Sequence, residues 1–191
     1  GGMVCSPYAE NGRADLLFNV MPLSVDKPGD PLHKFSGFSA SATQCRPLSR
    51  GTVHIRSGDP LQAPRIVSNY LTDPHDAKVL VSGLKILRDI YRQPAFRDLV
   101  TGEEHIPGAA MQSASALEEF ARNKGGTVFH PVGTCRMGSD ANAVVDAQLR
   151  VNGVERLRVI DASVMPTMVS TNTNAAAVMI GEKGAALVRG Q

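Results

Sequence analysis

With 191 residues, 42% of them hydrophobic and 20% charged, the chain holds enough apolar material for one substantial domain or one and a half. Its composition is not that of a disordered segment, and a formal net charge of +2 with both signs scattered gives no electrostatic footprint for nucleic acid or an anionic membrane. No apolar run reaches the roughly 18–20 residues needed to span a bilayer, and the N-terminus lacks the order of a signal peptide. The expected location is therefore cytoplasmic, with peripheral membrane association as an alternative.

The three cysteines, Cys5, Cys45 and Cys135, are widely spaced and odd in number, which suits a reducing compartment better than a disulfide framework. The five histidines lie far apart and no HExxH or Cys/His cluster is present. No metal is expected, since a site would need ligands converging from distant segments.

The first third of the chain is broken repeatedly by proline and glycine. Its β-prone pieces LLFNVMPLSV, FSGFSASATQCRP, GTVHIRS and RIVSNYL read as strands of a sheet. In GTVHIRSGDP, Val53 and Ile55 alternate with His54 and Arg56, predicting one apolar and one wet face before the turn at Gly58, Asp59 and Pro60. Next comes a helix start, with Asp73 as N-cap and Pro74 in the first helical position, and a stripe of Leu80, Leu84, Leu87 and Tyr91 ending before Pro94. A second helix is predicted in SALEEFARNKGG, with Ser115 and Glu118 at capping-box spacing and Gly125 as the left-handed terminator. TVFH and LRVIDASVMP read as strands. The last element is a small-residue helix, NAAAVMIGEKGAALVR, with Thr171, Asn172, Thr173 and Asn174 crowded at its start.

Chemistry concentrates in two places. His130 stands where a β-prone run gives way to Pro131 and a turn at Gly133. A lone imidazole in such a place is more often structural than catalytic, being amphipathic and easily hydrogen-bonded. Asn172 and Asn174 flank the start of a helix whose first N–H groups lack partners and whose dipole is positive there. Either could be a simple N-cap.

HPVGTCRMG, then VIDASVMP, then STNTNAAAVMIGEKGAAL resembles, in that order, the C-terminal signature of the glucose-methanol-choline (GMC) oxidoreductases, which are FAD-dependent alcohol dehydrogenases and oxidases. The resemblance extends to PLSVDKPGDPLHKFSGFSASATQCRPLSRGTVHIRSGDP, which is similar to the family's substrate-domain strands, and to the helix that follows. It implies an α+β fold: a mainly antiparallel sheet flanked by helices over residues 1–125, and a segment 126–191 whose strand and helix would complete an FAD-binding α/β domain. It further implies that His130 takes the proton of the substrate hydroxyl while hydride passes from the alcohol carbon to flavin N5, a task suited to a group titrating near neutral pH. By the same resemblance Asn172 holds the substrate oxygen. Thr173 and Asn174 contact the flavin, and Asp161 and Ala162 run beside its ribityl and pyrophosphate. An ordinary turn role for Asp161 stays open, as does a core role for Phe129, which otherwise walls the substrate pocket.

No GxGxxG fingerprint is present, and the resemblance places Gly1-Gly2-Met3 in the middle of the family's chain. The expected partners are therefore a small alcohol and the N-terminal FAD-binding half of a longer chain, with a second copy, as a homo-oligomer, the further candidate. On its own the chain is expected to bind FAD weakly or not at all and to be inactive, with apolar surface left exposed around the last helix. The competing reading is a non-catalytic binding or structural module on the same fold. A serine hydrolase is excluded because GFSAS is not the GxSxG elbow. Choline is disfavoured as substrate, since the chain has few aromatic faces for a quaternary ammonium and no tryptophan.

Overall fold

The computed structural model describes residues 1–27, 29–100, 102–170 and 172–190. The chain divides into two compact units, Gly1–Ser49 with Tyr70–Gly126, and Arg50–Asn69 with Thr127–Gln191. Mixed α/β architecture, small antiparallel sheets and three α-helices agree with the α+β expectation.

In the first unit, strands β1 (Gly2–Val4), β2 (Leu16–Met21) and β3 (Ser39–Gln44) form an antiparallel sheet with β2 central. Its register sets Val4 opposite Leu16, and Leu16 opposite Gln44. Alternation along β2 turns Leu16 and Phe18 into a core with Val79 and Leu87 of helix α1 (Pro74–Tyr91). Asp73 caps α1 as expected, its carboxylate accepting from the His75 N–H at 2.8 Å, with Pro74 leading the first turn.

The buried face of α1 keeps one member of the predicted stripe, Leu87, and adds residues the stripe did not include. Asp76, Ala77, Val79, Val81, Gly83 and Leu87 are buried, whereas Leu80, Leu84 and Tyr91 are half-covered. The sheet demands close approach: a Cβ on Gly83 would stand 2.9 Å from the Ala42 Cβ and 3.1 Å from Leu16 Cδ2. Gly83 lets the strands come close, Val79 and Leu87 pack on them, and Leu80 and Leu84 are left half-covered.

Helix α2 (Ala114–Lys124) packs on α1 and buries Leu117 and Ala121. Its cap is Ser113, which accepts from the Ala116 N–H at 3.1 Å, and not Ser115. Glu118 turns outward to pair with Arg122 at 2.7 Å. Gly125 is extended (φ −62°, ψ 150°) rather than left-handed, and glycine is needed there because a Cβ would lie 2.3 Å from the Ala121 carbonyl oxygen.

Two carboxylates tie this unit together. Asp15, buried, accepts from the Ser6 N–H and Oγ at 2.7 and 2.6 Å. Asp76, 1% exposed on the first turn of α1, accepts from Gln44 Nε2, the Leu48 and Ser49 N–H groups and Ser49 Oγ. Burial alone would raise its pKa, but these donors outweigh it and hold the carboxyl below its ordinary value. The thiol of buried Cys45 is pushed up by burial and by the negative charge of Asp15, against the opposing Arg46, and so is an inert core group. All three cysteines are free.

In the second unit, β4 (Thr52–His54) and β5 (Arg65–Val67) make an antiparallel ribbon. The expected apolar face is not covered: Val53 is 47% exposed and Ile55, just beyond β4, 88%. TVFH forms no strand, and Leu157–Ile160 pairs only through the isolated bridge between Arg150 and Arg158, among the described residues. Backbone bonds between successive loops replace ladders, such as Val144 N to Arg136 O (3.0 Å), Asn152 N to Val144 O (2.9 Å) and Val159 N to Leu149 O (3.1 Å). They enclose Val145, Leu149, Val164, Met165 and Ile180, the last from helix α3 (Asn174–Val188). No helix among the described residues is long and apolar enough to cross a membrane.

Because Asp76 is held ionised by the fold, its contribution is complete above the ordinary carboxylate pKa of about 3.9 and drains away as pH falls through the lower folded value. Asp76→Asn, which leaves donors at Leu48 and Ser49 poorly satisfied, is expected to lower stability at pH 7 by about 2–3 kcal/mol. It should also flatten the acid limb of a stability–pH curve measured by urea unfolding.

Candidate active site

All the motif segments that carry chemistry lie within the second unit. His130 is half-buried in an irregular segment immediately after Phe129, whose φ of 60° puts a bulky residue in the left-handed region. Such backbone costs on the order of 1–3 kcal/mol and persists only where its surroundings impose it. Here the Phe129 N–H is held by Thr127 Oγ1 at 2.9 Å, while the ring itself is 80% exposed. Strain explains why TVFH cannot run on as a strand: the chain turns one residue before the histidine.

Beyond Gly133 (φ 88°), the Cys135 N–H donates to the Ser163 carbonyl at 3.0 Å and the Met137 N–H to that of Val164 at 2.8 Å. The histidine segment and the DASV segment are thereby laid side by side. Ala162–Val164 is a single 3-10 turn capped by Asp161, whose Oδ1 accepts from the Ser163 N–H at 2.8 Å. Asp161 thus has the turn role its sequence allowed, with its other carboxylate oxygen remaining; Ala162 is half-buried beside it.

Helix α3 docks on the same turn. Gly184 is buried against Ile160, and a Cβ there would lie 2.2 Å from Ile160 Cγ2. Val169 and Ala176 pack against the buried cluster that includes Val164 of the turn and Ile180 of the helix. At the helix start Thr173 occupies the N-cap without a side-chain cap bond, so neither Asn172 nor Asn174 serves as the cap; both are exposed. Thr171 lies outside the described residues. Three motifs far apart in sequence are thus joined in one unit, with exposed Asn172 and Asn174 at the open end of α3.

Two features of this region were missed by sequence reasoning. Arg136 makes a two-bond fork with Asp140 (2.8 and 2.6 Å), and the Asn142 N–H adds a third bond to that carboxylate. The guanidinium bonds and the Asn142 N–H hold Asp140 far below the usual carboxylate range. Gly138 sits inside this loop, where a Cβ would meet Asp140 Oδ2 at 3.0 Å. The signal was present as opposite charges spaced four apart around a glycine. Asp146 makes a similar loop, its carboxyl lowered chiefly by the Arg150 N–H and then by the Arg150 guanidinium and the Gln148 N–H, against burial.

The donor set suits part of a dinucleotide cofactor. The N-terminus of α3, with exposed Asn172 and Asn174, offers N–H groups to an acceptor-rich ring edge. No glycine-rich phosphate cradle occurs in the sequence.

Residues 47–181 match the C-terminal family model of the GMC oxidoreductases. The chain belongs to the GMC oxidoreductase family. It is 42% identical over its whole length to the oxygen-dependent choline dehydrogenase of Escherichia coli O45:K1 (strain S88 / ExPEC), of which it covers 34%. Pyridoxine 4-oxidase from Mesorbium loti superposes with a TM-score of 0.79 at 30% identity, over 94% of this chain and 35% of that one. A formate oxidase variant from Aspergillus oryzae RIB40 gives 0.82 at 26% identity, over 96% of this chain and 33% of that one. This GMC chain spans about a third of the length of the curated relatives it matches.

Replacing Gly184 with alanine should force α3 away from the 160–164 turn. The expected cost is about 1–3 kcal/mol of overpacking, read as a lower thermal midpoint by circular dichroism, whereas Gly181→Ala, with open space around it, should be neutral or better.

Proposed function

We propose that the chain is the substrate-binding and catalytic C-terminal portion of an FAD-dependent alcohol oxidoreductase. Residues 1–125 act as the substrate domain, and residues 126–191 return to a cofactor domain supplied by the N-terminal part of a longer protein. The observation that carries this reading is the junction just described. Backbone bonds from Cys135 and Met137 to Ser163 and Val164 link the His130 segment to the turn on which α3 and its asparagines are docked.

In this reading His130 removes the hydroxyl proton of a small alcohol. An imidazole serves because it accepts a proton near neutral pH and releases it again, and half-burial keeps it ordered yet reachable. The Asn172 amide donates to the same substrate oxygen as negative charge develops there, a preorganised donor of the oxyanion type. A bound flavin would supply the acceptor for the hydride that leaves the alcohol carbon. Thr173, Asn174 and the first N–H groups of α3 would hold its polar ring edge, with Asp161 and Ala162 on the ribityl and pyrophosphate side. Phe129, strained and exposed, walls the substrate pocket and turns the chain so that His130 is presented.

In the longer protein that includes the cofactor half, His130→Ala is expected to slow alcohol-dependent flavin bleaching by about 10²–10⁴-fold, and Asn172→Ala by about 10²–10³-fold, with flavin content unchanged. Full activity in the His130 variant would remove it from the mechanism. The 191-residue chain alone should give no stoichiometric yellow complex; one that an alcohol bleaches would overturn the expected dependence on an N-terminal half.

A further inference from the structure

In the first unit, outside the residues discussed so far, the connection between β2 and β3 and the connection between α1 and α2 bring Asp26, His33 and His105 together, with their ligand atoms all within 4.8 Å of one another. Both imidazoles address one carboxylate oxygen. His33 Nε2 lies 3.3 Å from Asp26 Oδ1, and His105 Nε2 lies 3.7 Å from that same atom. These separations exceed the 2.7–2.9 Å of a good charge-assisted hydrogen bond. They approach the distance of about 3.3–3.4 Å between neighbouring ligand atoms around a tetrahedral ion with bonds of about 2.0–2.1 Å.

The cluster is also braced. His33 Nδ1 lies 2.9 Å from Ser24 Oγ, and the His33 N–H donates to the Ser24 carbonyl at 3.0 Å, so loop and ring are both fixed. With its proton on Nδ1, His33 donates a hydrogen bond to Ser24 Oγ and turns a lone pair from Nε2 toward Asp26, the arrangement typical of metal-bound histidine. Phe35 stacks on His33 at 4.7 Å and meets the His105 ring edge-on at 5.3 Å, giving the two imidazoles one apolar backing. Behind His105, Arg88 of α1 grips Glu104 through two bonds (3.0 and 2.7 Å) and donates to the Gly108 and Met111 carbonyls. Glu104 is thereby engaged elsewhere, and the segment carrying His105 is anchored. His33 is mostly covered, whereas Asp26 and His105 are more than half exposed, so an ion could reach the site from solvent.

We propose that Asp26, His33 and His105 bind a divalent first-row transition cation of the Zn²⁺ class, which clips the β2–β3 connection to the α1–α2 connection. Two imidazoles and a carboxylate suit such an ion and not Mg²⁺ or Ca²⁺, which take oxygen ligands. Three protein ligands leave a coordination position for water. The site is independent of the flavin reading, and each can fail without the other.

The test is titration of Zn²⁺, and separately Co²⁺, into the chain against a chromophoric chelator. One equivalent is expected to bind, with a Co²⁺ spectrum lacking thiolate-to-metal charge transfer and a thermal midpoint that rises with metal. Asp26→Asn and His105→Gln, both at exposed side chains, should abolish the stoichiometric site with the far-UV spectrum unchanged. Ser24→Ala should weaken binding about tenfold or more. Cys5→Ser and Cys135→Ser should leave it intact. The proposal is overturned by the absence of stoichiometric binding, by binding that survives both Asp26→Asn and His105→Gln, or by binding lost with a cysteine.

Discussion

Backbone polar groups must find partners, and the second unit meets that demand almost without regular strands. The two bonds that matter most run from the N–H groups of Cys135 and Met137 to the carbonyls of Ser163 and Val164. They lock the histidine-bearing loop to a one-turn 3-10 helix, and that turn is the platform on which α3 rests through Ile160 and Gly184. Without this junction, His130 and the start of α3 would be two loops with no fixed relation. The buried cluster of Val145, Val164, Met165 and Ile180 then fills the space that the bonds define. Order here comes from loops bonded to loops, and side-chain volume follows.

The local signals that were legible share one property: their physics is contained within a few residues. Asp73 with Pro74 fixes the start of α1, and the β-prone run LLFNVM forms β2. Signals were misread where a distant group decided the outcome. The face of α1 is set by how closely β2 and β3 approach at Gly83, so of the leucines that looked like the core stripe Leu87 is buried while Leu80 and Leu84 are half-covered. Ser113 and Ser115 are nearly equivalent as caps in isolation, and the helix starts two residues earlier than the Ser115–Glu118 spacing suggests. Asp76 gave no motif at all, because its donors come from the region of Gln44 to Ser49.

The same distinction applies to the chemistry. The order of three motifs identified the family, which the matched region bears out. Geometry adds which backbone atoms join them, and it shows that Asp161 already spends one carboxylate oxygen on its own turn. It also shows α3 burying Ile180 and Gly184 while Val178 and Met179 stay more than half exposed. Under the proposed function, that apolar area is what the longer protein would cover. The histidines that converge on Asp26 were invisible in sequence because their spacing is tertiary.

Residues 50–69 leave the first unit after Ser49 and hand the chain back at Tyr70. The ends of this excursion touch: Asn69 Nδ2 donates to the Arg50 carbonyl at 3.1 Å, and Gly51 is pressed so closely on the Val67 and Ser68 carbonyls that any side chain there would clash. Chain that departs and returns at one point imposes little loop-closure entropy on its host. The ribbon thus leaves and rejoins the first unit at one point, so its presence puts little entropic load on the register of the sheet, α1 and the Asp76 clasp.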